Sequence, residues 1–435
     1  MRVLWLCNIM LPKIAEYLQK EVSNKEGWLS GTYDRLCKAD FLLDSGERLE
    51  LGVCFPVGNE SEEVEVLVDG VMVYGFCEDT AHPENYDVNL ESRLKSIVEK
   101  FKPDLVHCFG TEYPHTLAMT RAFPYPEKIL IGIQGLCSEC AKVYMANLPE
   151  ETQKKKTFRD LLKQDSIKEQ RKKFEQRGEN EKEALKNVLH VTGRTMWDYM
   201  MVREIVASEF EDSNEESLKY HFMNETLRNT FYEDEWNIEN AIPYSIFMSQ
   251  GDYPLKGLHF MLQAMPRILD KFPQTTLWIA GSDITRNKSI MEKIKISGYG
   301  KYLRKLIKKY ELQEKVHFLG RLSAKQMKER FLKSAVYICP SILENSPNSL
   351  GEAMLLGMPS VAANTGGIPT IFFDKKDGLL FEKGNVDALA ECVIEMFSDM
   401  GKMEQYGKTA RIHAMDTHNP DKNYQRLLEI YQEIV

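Results

Sequence analysis

No stretch of these 435 residues is apolar over the roughly 18 positions a bilayer-spanning helix needs. Asp-x-Asp is missing throughout, so the sequence offers no acidic pair of that kind to clamp a metal ion. Positive charge is also short. Lys and Arg number 56 against 65 Asp and Glu, a net charge of −9. That sign excludes a general nucleic-acid binder, whose phosphate contacts need a basic surface. Cysteine is sparse, nine in all. Cys137-Ser-Glu-Cys140 stands alone, without the second pair a zinc site needs, so no metal is expected there. The opening Met1-Arg-Val-Leu-Trp-Leu-Cys7 is apolar but short, lacks a small-residue cleavage site and soon reaches Pro12. It therefore reads as a buried first strand rather than a targeting segment, and the cysteines as reduced thiols of a cytoplasmic protein.

What is present is globular in character, 43% hydrophobic and 28% charged, and too long for one ordinary core, so two domains are expected. In the second half short apolar runs recur at 245–248, 276–280, 316–319, 335–339, 360–363 and 378–381. Helical spacing fills 258–271, 289–310 and 324–333 between them. Strand and helix alternating in this way predict βαβ units and a parallel sheet. The first half repeats the theme less regularly, with strands at 2–7, 49–55, 104–109, 128–133 and 188–192 and a helix at 90–101. Asp69-Gly70, between 64–68 and 71–76, signals a two-residue hairpin turn. The halves are expected to meet near 233–242, giving domains at 1–240 and 241–415, with 416–435 as a closing helical segment. From 153 to 177 the chain carries ten Lys or Arg against four Asp or Glu. Such a run is either a solvated helical face or a docking surface for an anionic membrane or a phosphate-bearing acceptor.

The chemistry concentrates in Cys339-Pro-Ser-Ile-Leu-Glu344-Asn-Ser-Pro-Asn-Ser-Leu-Gly-Glu352-Ala-Met-Leu-Leu-Gly357. Ser346 fits a helix N-cap, Pro347 the first helical position and Gly357 the stop. The helix would then begin just beyond a parallel strand, with free N–H groups around Asn348, Ser349 and Leu350 at the edge where sheets bind ligands. Unpaired donors and the helix dipole favour phosphate there. Glu344 and Glu352, eight positions apart, could reach opposite ends of one long ligand. Gly366-Gly367 follows the next strand and lets backbone approach a ligand. Lys256-Gly257 follows an earlier strand at the same edge.

Lys256-Gly257, then Glu344 with Glu352, then Gly366-Gly367 resemble in order and spacing a retaining glycosyltransferase of family four. The resemblance is firmest over about 245–400. It implies an α/β fold of the GT-B type: two Rossmann-like domains facing each other across a cleft, with a C-terminal helix crossing back to the N-terminal domain. It also implies an acceptor-binding first domain and a nucleotide-sugar-binding second one. Lys256 would neutralise a donor diphosphate, Asn348 to Leu350 would supply backbone donors to phosphate, Glu352 would bind ribose hydroxyls, and Glu344 would lie near the reacting sugar carbon. The His317-to-Leu322 stretch resembles the family's base-reading loop and brings in Arg321 and Leu322. The implied donor is a UDP-sugar, and the implied acceptor is a glycan, lipid-linked or protein hydroxyl. No cofactor or metal is implied; the expected location is cytoplasmic, and peripheral to the inner face of the plasma membrane where the 153–177 run is read as a docking surface.

This sequence departs from the family's pattern in two places. The family's arginine five positions before the lysine is Gly251 here, which leaves Arg194 and Arg321 as candidate replacements. Phe109 stands where the family often has a catalytic histidine, which leaves His107 as the catalytic candidate and Glu112 and His115 on the acceptor side. Gly27-Trp-Leu-Ser-Gly31 resembles the family's glycine-rich loop. His190-Val-Thr-Gly-Arg-Thr-Met-Trp-Asp198 resembles a motif of a polysaccharide-assembling branch. A non-catalytic partner subunit, or a sugar-nucleotide epimerase on the same fold, remains the alternative.

Overall fold

A computed structural model describes residues 1–20, 27–38, 46, 48–58, 63–207, 218–286, 289, 292 and 294–435. The chain forms two compact units. The first comprises 1–141, 173–227 and 418–435, and the second 142–172 and 228–417.

The first unit is built on an eight-stranded sheet. Its strands are β1 (Arg2–Leu6), β2 (Glu50–Val57), β3 (Val64–Val68), β4 (Val71–Cys77), β5 (Leu105–Phe109), β6 (Ile129–Gly132), β7 (His190–Gly193) and β8 (Lys219–Phe222). They lie in the order β3-β4-β2-β1-β5-β6-β7-β8. All neighbours run parallel except β3 and β4. That antiparallel pair turns at Asp69 (φ 48°) and Gly70 (φ 82°), the two positive φ angles that a tight hairpin demands. Strands β5 and β6 are buried along their whole length, as parallel strands covered on both faces should be. Strand β8 has no counterpart in the sequence reading. Lys219-Tyr-His-Phe lies at the sheet's end with Lys219 and Phe222 exposed, so no apolar run marks it. The Gly27–Gly31 stretch, expected as a loop, begins the helix Gly27–Lys38. There Gly31 is packed so closely that a Cβ would stand 2.6 Å from the carbonyl oxygens of Thr226 and Leu227. The C-terminal helix Pro420–Ile434 completes this unit, with its Tyr431 hydroxyl accepting the Trp5 indole N–H at 2.8 Å.

The second unit carries a six-stranded sheet, all parallel. Its strands are β9 (Ile242–Met248), β10 (Thr276–Ile279), β11 (Val316–Phe318), β12 (Ser334–Cys339), β13 (Ser360–Asn364) and β14 (Leu379–Glu382), in the order β11-β10-β9-β12-β13-β14. The helix Leu258–Lys271 buries Leu258, Met261, Leu262, Met265 and Ile268 at helical spacing. Of the helix expected over 289–310, residues 290, 291 and 293 lie outside the described residues; a helix runs from Gly298 to Lys309, capped by Ser297, which accepts the Gly300 N–H at 3.0 Å.

The expected boundaries shift. Residues 142–172 and 228–240, assigned by sequence to the first domain, fold into the second unit. Asp160 accepts the Gly298 N–H at 2.9 Å, and the Ala146 carbonyl accepts His259 Nε2–H at 2.8 Å. The Trp236 indole donates to the Ser334 carbonyl at 2.8 Å. These tertiary bonds join stretches far apart in sequence, so local composition does not announce them.

Candidate functional site

Because β9, β12 and β13 run parallel, the loops after them leave the same edge of the second sheet. After β9 the chain makes one 3-10 turn, Pro254–Lys256, and stops on Gly257 with φ 71°. A Cβ on Gly257 would stand 1.9 Å from the Pro340 carbonyl oxygen, so glycine is what allows the loop after β9 to touch the loop after β12. That contact brings Lys256 Nζ to 2.6 Å from Glu344 Oε1. Ser341 Oγ donates to the same oxygen at 2.7 Å. From the loop after β13, Gly367 N–H donates to the Glu344 carbonyl at 3.0 Å, and a Cβ on Gly366 (φ 52°) would stand 2.0 Å from that oxygen. The Gly366-Gly367 turn therefore clamps the Glu344 backbone from behind. Burial pulls the Lys256 pKa down, but Glu344 and Tyr253 outweigh it and hold the ammonium charged well above its ordinary range.

The helix expected to begin on Pro347 runs from Asn348 to Leu355, with Pro347 rather than Ser346 at the N-cap position. Without a capping side chain, the Pro347 carbonyl takes the Leu350 N–H at 2.9 Å. Leu350 is fully buried, so its amide is committed within the first turn. The N–H groups of Asn348 and Ser349 make no hydrogen bond among the described residues, and they lie at the positive end of the helix dipole. Ser349 Oγ bonds Tyr337 Oη at 2.7 Å, which in turn bonds Ser249 Oγ at 3.0 Å, tying the helix start to the end of β9. Gly357 (φ 71°) ends the helix as expected. Further along it, Glu352 is buried and is met by Arg228, whose Nε and Nη2 lie 2.8 and 2.6 Å from Glu352 Oε1. Burial raises the Glu352 pKa and Arg228 opposes that rise.

The loop after β11 is pinned where the Gly320 carbonyl accepts the Gly281 N–H at 2.8 Å. It leaves Arg321 exposed and Leu322 half-buried at the same sheet edge. Beside it, Trp278 stacks on His317 with ring centroids 4.3 Å apart. A side chain at Gly251 would have to displace its neighbours: a Cβ there would stand 2.7 Å from Leu258 Cδ2 and 3.2 Å from Ile279 Cγ2.

Apart from Arg228, these features fall within one segment. Residues 231–413 match the family model of glycosyl transferases group 1. An uncharacterized glycosyltransferase of Methanocaldococcus jannaschii is 27% identical over 177 residues, which cover 41% of this chain and 42% of that protein. The chain thus matches less than half the length of that relative. Across the whole chain the likeness is structural. The sucrose-phosphate synthase of Thermosynechococcus elongatus superposes with a TM-score of 0.67 at 15% identity, covering 100% of this chain and 98% of that one. The Anabaena protein HepE in complex with UDP-glucose gives 0.62 at 15% identity, covering 100% of both. At such identities the likeness shows the fold, GT-B with two parallel-sheet α/β units.

The first unit treats its candidates differently. His107 is wholly buried, its Nδ1 is 2.8 Å from Tyr431 Oη, and its ring lies against Phe109 with centroids 3.8 Å apart. Burial drives its pKa down to about 3. With no exposed surface, His107 is a packing residue of this unit rather than a group that meets substrate. Arg194, a candidate for the diphosphate cation, is committed too, donating to the Ile133 carbonyl at 3.1 Å and Gln134 Oε1 at 2.8 Å and pairing with Glu225. In its motif Asp198 accepts the backbone N–H groups of Arg194 and Thr195, which makes the motif a capped strand-to-helix turn. His115 lies buried between Glu78 Oε2 (2.7 Å) and Asn8 Oδ1 (2.9 Å), and Asn8 Nδ2 reaches Glu112 Oε2 at 3.3 Å. Sequence reasoning named His115 and Glu112 but not Asn8, Glu78 or Arg228, which no motif or spacing connects to their partners.

Proposed function

We propose that the chain is a retaining, metal-independent glycosyltransferase of family four. In this reading it moves a hexosyl or N-acetylhexosaminyl group from a nucleotide diphosphate sugar to a hydroxyl of a glycan, lipid-linked or protein acceptor. The observation that carries the proposal is the convergence of Lys256 and Glu344 at one sheet edge that also holds the unbonded amides of Asn348 and Ser349. A cation and free N–H groups suit a diphosphate leaving group, and a carboxylate beside them suits the positive charge that grows on the sugar carbon as its bond to phosphate breaks. The acceptor hydroxyl would approach on the leaving group's own face, give its proton to the departing phosphate oxygen and bond to that carbon, retaining the configuration. Glu352 would hold the ribose, Gly366 and Gly367 would shape the Glu344 loop, and Arg321 and Leu322 would border the base. The UDP-glucose complex of HepE supports a UDP-sugar donor. The test is a panel of UDP- and GDP-sugars, read as release of free nucleoside diphosphate. Stable donors throughout, with no nucleotide binding, would sink the reading in favour of a non-catalytic subunit.

The acceptor side of the proposal is cytoplasmic and membrane-peripheral, in the polysaccharide-assembly branch that the His190–Asp198 motif resembles. Within 153–177, Phe158, Leu161 and Leu162 are 61, 59 and 70% exposed, which a merely solvated charged face does not require. Lys163, Lys168 and Lys172 make no ion pair among the described residues, whereas Lys154, Lys155 and Lys156 pair with Glu150, Glu151 and Glu169. No described helix is long and apolar enough to cross a membrane. Three apolar side chains among unpaired cations suit an anionic bilayer, where each cation near the surface contributes about 1 kcal/mol. Vesicle flotation should depend on anionic lipid and weaken in salt. Equal flotation on neutral and anionic vesicles would leave the solvated-face reading.

A further inference from the structure

Two donors of Arg228, Nε and Nη2, converge on a single oxygen, Oε1, of Glu352. The second oxygen, Oε2, makes no hydrogen bond among the described residues, although Glu352 is only 2% exposed. Buried as the residue is, that oxygen is not among the sealed, unpartnered atoms of the described residues, so it stays open to a donor that arrives from outside the protein. The aim of Arg228 is itself fixed. Its guanidinium lies over the Phe231 ring, 4.8 Å from Cζ to centroid, and Phe231 is wholly buried with its ring edge-on to Phe331. Arg228 opens the second unit immediately before the 3-10 turn Asn229–Phe231, and Glu352 lies 124 positions later in the helix Asn348–Leu355.

We propose that Arg228 is a positioning residue of the donor site, clamping one oxygen of Glu352 so that the other is presented to the vicinal hydroxyls of a nucleotide's ribose. This rests on the reading of Glu352 as the ribose ligand. Arg228 acts twice through its partner. It fixes the rotamer of the carboxylate, so Oε2 is held in place before the nucleotide arrives. It also supplies the only opposite charge that faces Glu352 among the described residues, against a burial that favours the protonated form. The ribose does not change during transfer, so the effect belongs to binding and not to the chemical step.

The experiment titrates UDP and, separately, GDP onto the full chain by calorimetry, at pH 7.5 and 5.5. It compares wild type with Arg228→Ala, Arg228→Lys, Glu352→Gln and the double variant Arg228→Ala/Glu352→Gln. Arg228→Ala is expected to weaken nucleotide binding about tenfold or more. Its binding should also fall further at pH 5.5 than that of wild type, because an unpaired buried carboxylate takes up a proton more readily. Arg228→Lys should recover part of the loss. The double variant should bind no worse than the weaker single one, since both changes act on one contact. Thermal unfolding of each variant checks the fold. If Arg228→Ala does not fold, Arg228→Gln carries the comparison, because it keeps the stem over Phe231. Binding by folded Arg228→Ala or Arg228→Gln equal to wild type at both pH values, with Glu352→Gln weakened, would overturn the role of Arg228 alone. Failure of wild type to bind either nucleotide would overturn the donor-site reading and this inference with it.

Discussion

Lys256 and Glu344, 88 positions apart in sequence, meet at 2.6 Å where two strand-end loops touch through Gly257. The pair is three-quarters or more buried on both sides, and Glu344 holds the Lys256 ammonium charged against that burial. On the proposed function a diphosphate would compete with Glu344 for the ammonium. Lys256→Ala is therefore expected to lower kcat on the order of 10²–10³-fold, the usual cost of losing one fixed charge contact to a leaving group. Steady-state rates beside a melting curve decide it. A folded Lys256→Ala enzyme with wild-type turnover would remove the lysine from the mechanism.

In the same reading Lys256 and the amides of Asn348 and Ser349 do the work a metal ion does elsewhere. Excess EDTA is expected to leave the rate of a metal-stripped preparation unchanged, and added magnesium is expected not to raise it. A rate that collapses on chelation and returns with magnesium would show that the diphosphate needs a cation beyond Lys256.

Much of this site was legible in the sequence because its parts are local: a glycine after a lysine, two glutamates eight apart, a Gly-Gly turn, each beside an apolar run. Parallel strands carry such signals to one edge automatically. What sequence could not supply was partnership across distance. Arg228 is one arginine in a charged stretch, and nothing local announces that it will meet Glu352. His107 sits at the end of an apolar strand, where an exposed catalytic group and a sealed packing residue look alike. Only the C-terminal helix, which places Tyr431 on His107 Nδ1, separates the two. The assignment of 142–172 was hidden for the same reason, since Asp160 and Ala146 reach their partners through the fold and not along the chain.

Three buried histidines each contribute a term that weakens the fold in acid. Burial lowers the pKa of His107 to about 3 and those of His190 and His259 to about 4, from an ordinary 6.5. Their folded-state pKa values lie below the unfolded one, so between these limits the unfolded chain binds more protons. Their contribution is complete above pH 6.5 and is lost as pH falls towards 4, by up to about 1.4 kcal/mol per pH unit for each histidine. Glu181 and Glu225, which burial raises to about 7, act in the opposite sense between pH 7 and about 4.5, because there the folded chain binds more protons. The test is therefore a difference between chains: from pH 7 to 5 the melting temperature of His259→Gln is expected to gain relative to that of wild type. A constant difference between the two over that range would mean that His259 is not neutral and buried in the folded chain.

Glu181 tests the first unit. Its buried carboxylate accepts four donors: Thr111 Oγ1 at 2.8 Å, Cys137 N–H at 2.8 Å, Ser138 N–H at 3.0 Å and Ser138 Oγ at 2.6 Å. Glu181→Gln keeps the volume but turns an amide NH2 group towards a backbone N–H, that of Cys137 or Ser138, which is left unsatisfied, while the hydroxyl beside it can turn and accept. A loss of about 1–3 kcal/mol is expected per orphaned buried group. Chemical denaturation would read it, and stability equal to wild type would mean that water replaces the carboxylate's bonds.

On the proposed function the two glutamates are expected to fail differently. Glu352 would bond a ribose that is the same in ground and transition states, so Glu352→Gln should raise KM for the donor while kcat stays near wild type. Glu344 would face the sugar carbon where positive charge builds as the bond to phosphate breaks, so Glu344→Gln should lower kcat. The resting structure adds a second consequence. With its charge gone, Glu344→Gln no longer holds the Lys256 ammonium as an ion-pair partner, and a bound diphosphate need not compete for it. Affinity for UDP should therefore hold steady or rise in Glu344→Gln even as turnover falls. Neither change alters side-chain volume much, so a packing artefact would show as a shared loss of melting temperature. Calorimetry with UDP alongside steady-state rates separates the two roles. If Glu344→Gln weakens UDP and spares kcat, while Glu352→Gln does the reverse, the donor lies in the site with its sugar towards Glu352 and its ribose towards Glu344.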